Sequence, residues 1–271
     1  MPLSKIHHNI APQVSSRTIR RTLAEANIKK WRAAERPTLK KEHAAACLEW
    51  AQKYKDWTEL DWKRVIWSDE CKVEQYSDPR VVWVFRIPKE KWIKDCISPE
   101  FKGQSVGIMV CRCFHGSTRG PFVPIIVPTI IGQVYLSLLK ALLSTILYRA
   151  QQLLPADTKP IFMHDNAPVH TAHIVKQWCI ENNIPLMQWP PYSPDLNPIE
   201  NCWKRLKEKV QNQYPELATY PGGKPTVQAK LREVLPAVWD EIESDYLQSL
   251  CSSICTRVNA VIKAKGWYTK Y

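Results

Sequence analysis

Two acidic residues stand at similar places in two neighbouring motifs of the chain. Asp165 follows the short apolar run 161–163 and lies in the segment HDNAPVH, residues 164–170. Glu200 follows the apolar run 184–189 and closes the segment PPYSPDLNPIE, residues 190–200. Apolar runs of this length predict buried strands, so the first acid is expected at the end of a strand and the second at the start of a helix. Carboxylates held in this way suit the binding of hard divalent cations.

A third acid, Asp69, follows the alternating residues 63–67 in the segment WSDE, residues 67–70. Two divalent ions about 3.5–4 Å apart can activate a water or a sugar hydroxyl and stabilise the leaving oxygen of a phosphodiester. We therefore predict that Asp69, Asp165 and Glu200 are catalytic metal ligands. Glu70 is the alternative to Asp69, because adjacent residues of a strand point to opposite faces. Taken singly, each acid also fits a turn cap or a solvated position in the first turn of a helix.

Other polar residues near these motifs have simpler interpretations. His170 and His173 flank the start of the next helix, and we expect them to cap or pack there. Asp195 fits an Asx turn within its proline-rich loop, so it is not counted as a fourth ligand. The segment CRCFH, residues 111–115, lies in an alternating strand pattern, which argues against a zinc site.

The order of the predicted elements defines the fold class. Extended segments at 63–76, 81–85, 106–114 and 122–127 are followed by alternating helices and strands. These are a helix at 134–153, a strand at 161–163, a helix at 171–182, a strand at 184–189 and a helix at 199–210, with two more helices between 226 and 265. This order predicts an α/β fold with a mixed sheet and flanking helices, as in ribonuclease H-like domains. Thirty-four residues separate Asp165 from Glu200, enough for one helix, one strand and two loops.

The N-terminal region concentrates the positive charge of the protein. The net charge is +12, and residues 1–55 carry 12 Lys and Arg against four Asp and Glu. Helices predicted at 4–11 and 17–26, joined by a short turn, fit a helix-turn-helix, whose second helix enters the major groove. An ordinary solvated amphipathic helix is the alternative. The candidate DNA-contacting residues are Arg17, Thr18, Arg20, Arg21, Lys29, Lys30, Arg32, Lys40 and Lys41.

Composition excludes several classes of protein. A hydrophobic fraction of 45% and 12 Trp in 271 residues indicate a folded globular chain rather than a disordered one. The nine Cys lack paired zinc spacing, and neither a signal peptide nor a long apolar span is evident. We expect reduced thiols in an intracellular protein with no membrane partner.

The three acidic motifs resemble those of Tc/mariner-like transposases, and the C-terminal segment AKGWYTKY, residues 264–271, is similar to the end of that family. The helix near residues 14–23 and its basic linker look like the second helix-turn-helix of the family. The resemblance implies residues 1–56 as a partial helix-turn-helix region with a basic linker. Residues 57–271 are then a ribonuclease H-like catalytic domain with C-terminal helices. This sequence starts within the second helix-turn-helix unit, so we expect a truncated copy with reduced specificity for transposon ends.

The resemblance also implies a mechanism. Mg²⁺ or Mn²⁺, as two ions held by Asp69, Asp165 and Glu200, would support hydrolysis at the terminal inverted repeats. The freed 3′ hydroxyl would attack target DNA at a TA dinucleotide, without a covalent enzyme–DNA intermediate. The family further implies a homodimer acting on double-stranded DNA in the nucleus.

Two other functions remain open from the sequence. A catalytically silent or domesticated DNA-binding protein would use only the basic region and would not need the three acids. A ribonuclease H-type nuclease would share the metal site, but it would not explain the helix-turn-helix or the proline-rich loop.

Overall fold

The computed structural model describes residues 3–32, 34–35, 38–75, 83–98, 106–127 and 129–271. The elements of the N-terminal part are α1 (Leu3–Asn9), α2 (Ser16–Glu25), β1 (Lys29–Arg32), β2 (Ala34–Glu35) and α3 (Lys41–Lys53). Ser15 caps α2, because its hydroxyl accepts a hydrogen bond of 3.1 Å from the Thr18 amide. Ile19 on the inner face of α2 is buried. The two predicted N-terminal helices are therefore present, whereas the predicted basic linker is partly a strand.

The rest of the chain forms the main body. Its elements are α4 (Glu59–Trp62), β3 (Val65–Glu74), β4 (Trp83–Arg86), β5 (Ile97–Ser98), β6 (Gly107–His115), β7 (Thr118–Arg119), β8 (Val123–Ile125), α5 (Gly132–Leu153), β9 (Ile161–Met163), α6 (His173–Glu181), α7 (Ile199–Gln213), α8 (Lys224–Asp240), α9 (Ser244–Ser252) and α10 (Ile254–Lys263). Short 3-10 turns lie at Pro88–Glu90, Lys94–Cys96 and Pro215–Thr219.

The central sheet is mixed and has β3 in its interior. Its strand order in the described residues is β7-β6-β3-β9, and β8 also pairs with β6. β3 is antiparallel to β6 and parallel to β9. Together with the flanking helices, this sheet confirms the predicted α/β fold with a mixed sheet. β3 pairs with β9 over Val65–Trp67 and with β6 from Trp67 to Glu74, so Asp69 is paired with Arg112 of β6.

Two apolar layers cover the faces of this sheet. One layer packs α5 and α6 against Ile66, Cys111 and Phe162. The other packs α3 and α7 to α10 against Trp67, Val73 and their neighbours. Since side chains alternate between the faces of a strand, consecutive residues of β3 project into different layers. This alternation decides which acid of the pair Asp69 and Glu70 meets α7.

α7 shows how the sequence pattern directs packing. Ile199, Trp203, Leu206 and Val210 are all buried, as their spacing predicts for one face of a helix. Glu200 borders this stripe at the first turn and is exposed. The helix therefore anchors through its apolar face while the carboxylate stays accessible.

Several predicted elements were wrong in detail. Residues 184–189 are not a continuous strand; Leu186 makes one isolated bridge to Phe162 of β9. Pro185 has no amide hydrogen, so it cannot extend the ladder in both directions. Residues 81 and 82 lie outside the described residues, and β4 pairs with β1 in a separate two-stranded sheet.

The C-terminal third also differs from expectation. Three helices, α8, α9 and α10, replace the two predicted between residues 226 and 265. α9 ends at Ser252 and α10 begins at Ile254, so the break between them is a single residue. Sequence periodicity does not reveal such a short interruption, because the apolar face continues across it.

Within the described ranges, no helix is both long and apolar enough to cross a bilayer.

Candidate active site

The first two acids lie side by side because β3 and β9 are parallel neighbours. Trp67 of β3 pairs with Met163 of β9. Each chain then continues for two residues, one to Asp69 and the other to Asp165. Because β3 and β9 run in the same direction from this pair, the two acids lie at the same level of the sheet, Asp69 within β3 and Asp165 just after the end of β9.

The third acid reaches the same cavity from the other side. A cavity of about 440 Å³ is lined by Asp69, Asp165 and Glu200, together with residues of the 189–194 loop and Asn197. Glu200 stands in the first turn of α7. The structure thus brings together the three acids that the sequence separates widely.

Hydrogen bonds next to the acids connect the three segments that carry them. The Ser68 hydroxyl donates to the Met163 carbonyl over 2.6 Å, which joins β3 to β9. The Asn197 amide donates to the Ser68 carbonyl over 3.2 Å, and its oxygen accepts from the Ile199 amide at 3.3 Å. The Asn166 amide donates to the Trp189 carbonyl over 2.5 Å. The relative placement of the acids is therefore set by their immediate neighbours.

The electrostatics of the cavity separate the two strand-borne acids. Burial raises the pKa of Asp69, and the negative charges of Glu200, Glu70 and Asp165 raise it further. Burial also acts to raise the pKa of Asp165, but hydrogen bonds from His170 and the Ala167 amide outweigh it, and the pKa is lowered. The opposite shifts arise because only Asp165 has a cationic partner.

That partner is His170, which lies between two carboxylates. Its Nδ1 is 2.6 Å from Asp165 Oδ1, and its Nε2 is 3.3 Å from Glu70 Oε2. Burial opposes the charged imidazole, yet these hydrogen bonds raise the pKa of His170 to about 10. The ring also packs on Tyr135 and stacks on His164, with centroids 4.1 and 5.2 Å away. His170 does pack, as predicted, but it also fixes the position of Asp165.

Glu70 occupies the opposite face of β3 from Asp69. It does not line the cavity; its carboxylate accepts from the Cys111 thiol at 3.4 Å and contacts His170. Because successive side chains of a strand point to opposite faces, Glu70 lies on the face of β3 away from α7. Glu70 therefore acts on the cavity through charge and through His170 rather than as a lining residue.

The donor set of the cavity fits a hard divalent cation. Carboxylate oxygens are the preferred ligands of Mg²⁺ and Mn²⁺. The like charges that raise the pKa of Asp69 are the charges that a cation would neutralise. In the part of the chain that the structure describes, no three His, Cys, Asp or Glu side chains are gathered into a formed metal-ligand cluster.

Asp195 lies outside this cavity and has a structural role. Its carboxylate accepts a hydrogen bond of 2.7 Å from the Thr269 hydroxyl. The buried Arg257 donates to the Asp195 carbonyl over 2.9 Å and to the Asn201 side chain over 2.6 Å. These contacts secure both sides of the turn that leads into Glu200. The simple turn role assigned to Asp195 therefore omitted its link to the C-terminal segment.

The predicted DNA-contacting residues have different environments. Arg17, Arg20 and Arg21 are exposed on α2, whereas Thr18 is partly buried and shares a hydrogen bond of 3.0 Å with Ser15. Thr18 is thus part of the helix cap. The lysines of the predicted set, all exposed, are Lys29, Lys30, Lys40 and Lys41. The Arg32 side chain lies outside the described part.

The cysteines show no disulfide in the structure, and all nine are free thiols. Cys111 and Cys113 are buried in the layer beneath α5. Burial raises the pKa of both thiols. The zinc interpretation of residues 111–115 has no support from this packing.

Sequence reasoning missed the supporting residues rather than the acids. His170 and Asn197 lie five and three residues from Asp165 and Glu200, within the motifs themselves. The signal that could have identified them is a polar residue only a few positions along the sequence from a candidate ligand. Arg257 carried no such signal, because 62 residues separate it from Asp195.

Comparison with known proteins extends over nearly the whole chain. A family model described as DDE superfamily endonuclease matches residues 64–219, and one described as Transposase matches residues 3–56. The chain is 31% identical over 260 residues to the Tcb1 transposase of Caenorhabditis briggsae, covering 96% of this chain and 89% of that protein. It is 27% identical over 270 residues to the Tc1 transposase of Caenorhabditis elegans, with the same coverage of 96% and 89%.

Solved structures are similar in fold. The Mos1 transposase paired-end complex with left transposon end matches with a TM-score of 0.66 at 17% identity, covering 100% of this chain and 76% of that one. The Mos1 transposase catalytic domain, solved with Raltegravir and Mg, matches with a TM-score of 0.56 at 18% identity, covering 86% and 100%. At these identities the likeness is one of fold, and it agrees with the predicted ribonuclease H-like architecture.

Proposed function

The chain belongs to the Tc1/mariner family of transposases, and we propose that it moves DNA by a cut-and-paste reaction at its own active-site cavity. The family makes it a metal-dependent enzyme that cleaves and joins DNA strands. The observation that carries the proposal is the shared cavity of Asp69, Asp165 and Glu200. These acids are proposed as the ligands of two Mg²⁺ or Mn²⁺ ions.

The chemistry that such ions supply is activation of a water or a 3′ hydroxyl and stabilisation of the leaving oxygen. The residues of the chain have the task of holding the carboxylates in place. Ser68 and Asn197 fix the strand and helix segments relative to each other. His170 contacts Asp165 through one ring nitrogen and Glu70 through the other, and it thereby orients the Asp165 carboxylate. The preorganised carboxylates then need no large movement when the substrate arrives.

The DNA partners follow from the same reasoning. The helix-turn-helix region binds the ends of the transposon, and the exposed arginines of α2 supply positive charge for that contact. We propose that the ends are terminal inverted repeats, that the target is a TA dinucleotide, and that two copies act as a homodimer. Access to genomic DNA places the protein in the nucleus.

Two alternatives are less well supported. A silent DNA-binding relic has no need for acids around a common cavity, and this chain retains all three. A ribonuclease H-type nuclease has no need for the N-terminal transposase region at residues 3–56. Transposition accounts for both features together.

A nicking assay tests the proposal. Supercoiled plasmid that carries the genomic DNA flanking the gene should be cut in Mg²⁺ or Mn²⁺ and spared in excess chelator. Asp165→Asn should lower the rate about 10³-fold, since a neutral amide loses several kcal/mol of cation binding and transition-state stabilisation. Asp157→Asn is the matched control, because Asp157 is exposed and lies outside the cavity. Equal rates for Asp165→Asn and wild type would overturn the assignment.

A further inference from the structure

A second cavity lies between the C-terminal segment and the 3-10 turns that follow β4. Its volume is about 430 Å³, and its walls include Trp92, Ile93, Trp267, Tyr268, Lys89 and Lys94. We refer to it as the aromatic groove. Among the side chains that the structure describes, none that lines the groove is acidic. It shares no lining residue with the cavity of the three acids.

The two segments that form the groove both contain basic and aromatic residues, and the lysines that line it, Lys89 and Lys94, belong to the first. The first wall is the segment KEKWIK, residues 89–94, and the second is KAKGWYTKY, residues 263–271. Lys91 Nζ lies 4.4 Å from the centre of the Trp92 ring, which places a positive charge against the aromatic surface. The acid of the first segment, Glu90, accepts a hydrogen bond of 3.0 Å from the Ile87 amide, outside the groove.

The C-terminal wall is held rigidly by the residues around Trp267. Gly266 has a φ of +81°, and a Cβ there would lie 1.8 Å from the Ala44 carbonyl oxygen, so the turn is pressed onto α3. The Tyr268 hydroxyl accepts from the Leu39 amide at 3.0 Å. Thr269 is bound to Asp195, and the Arg257 guanidinium lies 4.8 Å from the Tyr271 ring centre. The anchored backbone presents the half-buried Trp267 to the groove, beside the buried Tyr268.

We propose that the aromatic groove binds an unpaired nucleotide of the DNA substrate, with the base against Trp267 and Trp92 and the phosphate near Lys89 and Lys94. Sequence-tolerant binding of single strands combines such aromatic platforms with basic grooves. Lys89 and Lys94 complement the charge of a phosphate, and the Trp92 and Trp267 rings complement the face of a base. A paired base is inaccessible to a pocket of this kind, because its faces are covered within the duplex.

The position of the groove fits this role in the proposed reaction. Thr269, next to Tyr268, is hydrogen-bonded to Asp195, and Asp195 belongs to the loop that leads into Glu200. The C-terminal segment therefore connects the groove to the catalytic loop. A strand end that separates from its complement near the acids would then have a site on the same connected segment in which to be held. The inference rests on the proposed function in one respect, that DNA is the substrate.

Binding measurements on matched DNA probes test the groove. The probes are a blunt duplex and the same duplex with a three-nucleotide thymidine overhang, at one fixed salt concentration. Trp267→Ala should weaken binding of the overhang duplex about tenfold, the loss expected for one stacked base, and change binding of the blunt duplex less than twofold. Lys94→Ala, at an exposed position that does not support the core, should show the same selectivity with a smaller loss.

Trp178→Ala is the matched control, since Trp178 is also half-buried and has a lysine, Lys140, 6.0 Å from its ring centre on another face. It should affect neither probe. A photoreactive 5-iododeoxyuridine in the overhang should crosslink to the peptide that contains Trp267 or Trp92.

The outcomes separate the groove from the proposed function. Failure of the wild type to bind either duplex would count against the proposed function itself. Normal duplex binding with equal losses on both probes, or no loss in Trp267→Ala and Lys94→Ala, would refute the groove alone. Reduced self-association of Trp267→Ala in sedimentation, with unchanged DNA binding, would also refute it, since the groove would then be a contact between copies.

Discussion

The two sides of the acidic cavity are built in different ways. On the strand side, Asp69 pairs with Arg112 in the β3–β6 ladder and Asp165 follows β9 by two residues, so main-chain ladders set where both acids lie. On the helix side, Glu200 follows a proline-rich loop whose position depends on side chains, namely Asn197, Arg257 and Thr269. Main-chain hydrogen bonds persist through most substitutions, whereas each side-chain contact is lost with a single change. The helix side is therefore expected to be the more vulnerable one.

The strand side has its own sensitivity, which is electrostatic. Asp69, Glu70 and Asp165 lie close enough for their charges to interact, and His170 is the cation that compensates for two of them. The helix side instead relies on Arg257, which hydrogen-bonds a carbonyl and an amide oxygen. The strand side is therefore stabilised by a cation that contacts the acids directly, and the helix side by a guanidinium that holds the turn before Glu200.

The largest effect on the helix side is expected from Arg257→Met. The change leaves the Asp195 carbonyl and the Asn201 side chain without their buried donor, at a cost of about 3 kcal/mol in the free energy of unfolding. Glu200 should then be less well positioned, so the Mn²⁺ concentration that gives half-maximal nicking should rise about thirtyfold. That rise corresponds to about 2 kcal/mol. Urea unfolding and a Mn²⁺ titration of the nicking rate measure the two quantities.

Arg257→Lys tests whether geometry or charge is responsible. Lysine keeps the charge but cannot donate in the planar fork that reaches both oxygens. We expect an intermediate Mn²⁺ requirement, with duplex binding by the N-terminal region unchanged. A Mn²⁺ requirement equal to that of wild type in both variants would show that Arg257 contributes only to stability.

A paired comparison of Asn197→Ala and Ser68→Ala sets the two sides against each other directly. Each change removes a buried side-chain hydrogen bond next to a candidate ligand. Asn197→Ala should lower the nicking rate about tenfold, because the start of α7 loses both its link to β3 and the bond to the Ile199 amide. Ser68→Ala should lower it by less than about threefold, because the β3–β6 ladder, in which Asp69 pairs with Arg112, continues to hold Asp69. Equal losses would contradict the distinction between the two sides.

The strand side was also the more predictable one from the sequence. Alternation in β3 placed Asp69 and Glu70 on opposite faces, and the apolar run 161–163 placed Asp165 at the end of a strand. The buried stripe of α7 followed from helical spacing. These are local patterns, in which each residue is interpreted from its near neighbours.

What the sequence did not reveal was long-range. The contacts of Arg257 and Thr269 with Asp195 span 62 and 74 residues and follow no period. The pairing of β1 with β4 likewise joins a basic stretch to a strand expected in the central sheet. Residues 184–189 failed as a strand because Pro185 interrupts the ladder, a case in which one missing donor outweighs an apolar pattern.

The smallest effect is expected from Thr269→Val, which tests how far the dependence on remote side chains extends. Valine has nearly the shape of threonine but lacks the hydroxyl that donates to Asp195 over 2.7 Å. The change should cost about 1 kcal/mol in the free energy of unfolding. The half-saturating Mn²⁺ concentration should rise only two- to threefold, about 0.5 kcal/mol, because Arg257 still holds the neighbouring carbonyl. Thr269→Ser, which keeps the hydroxyl, should restore the wild-type requirement. If serine and valine gave the same Mn²⁺ requirement, packing of the C-terminal segment, rather than its hydrogen bond, would position the loop before Glu200.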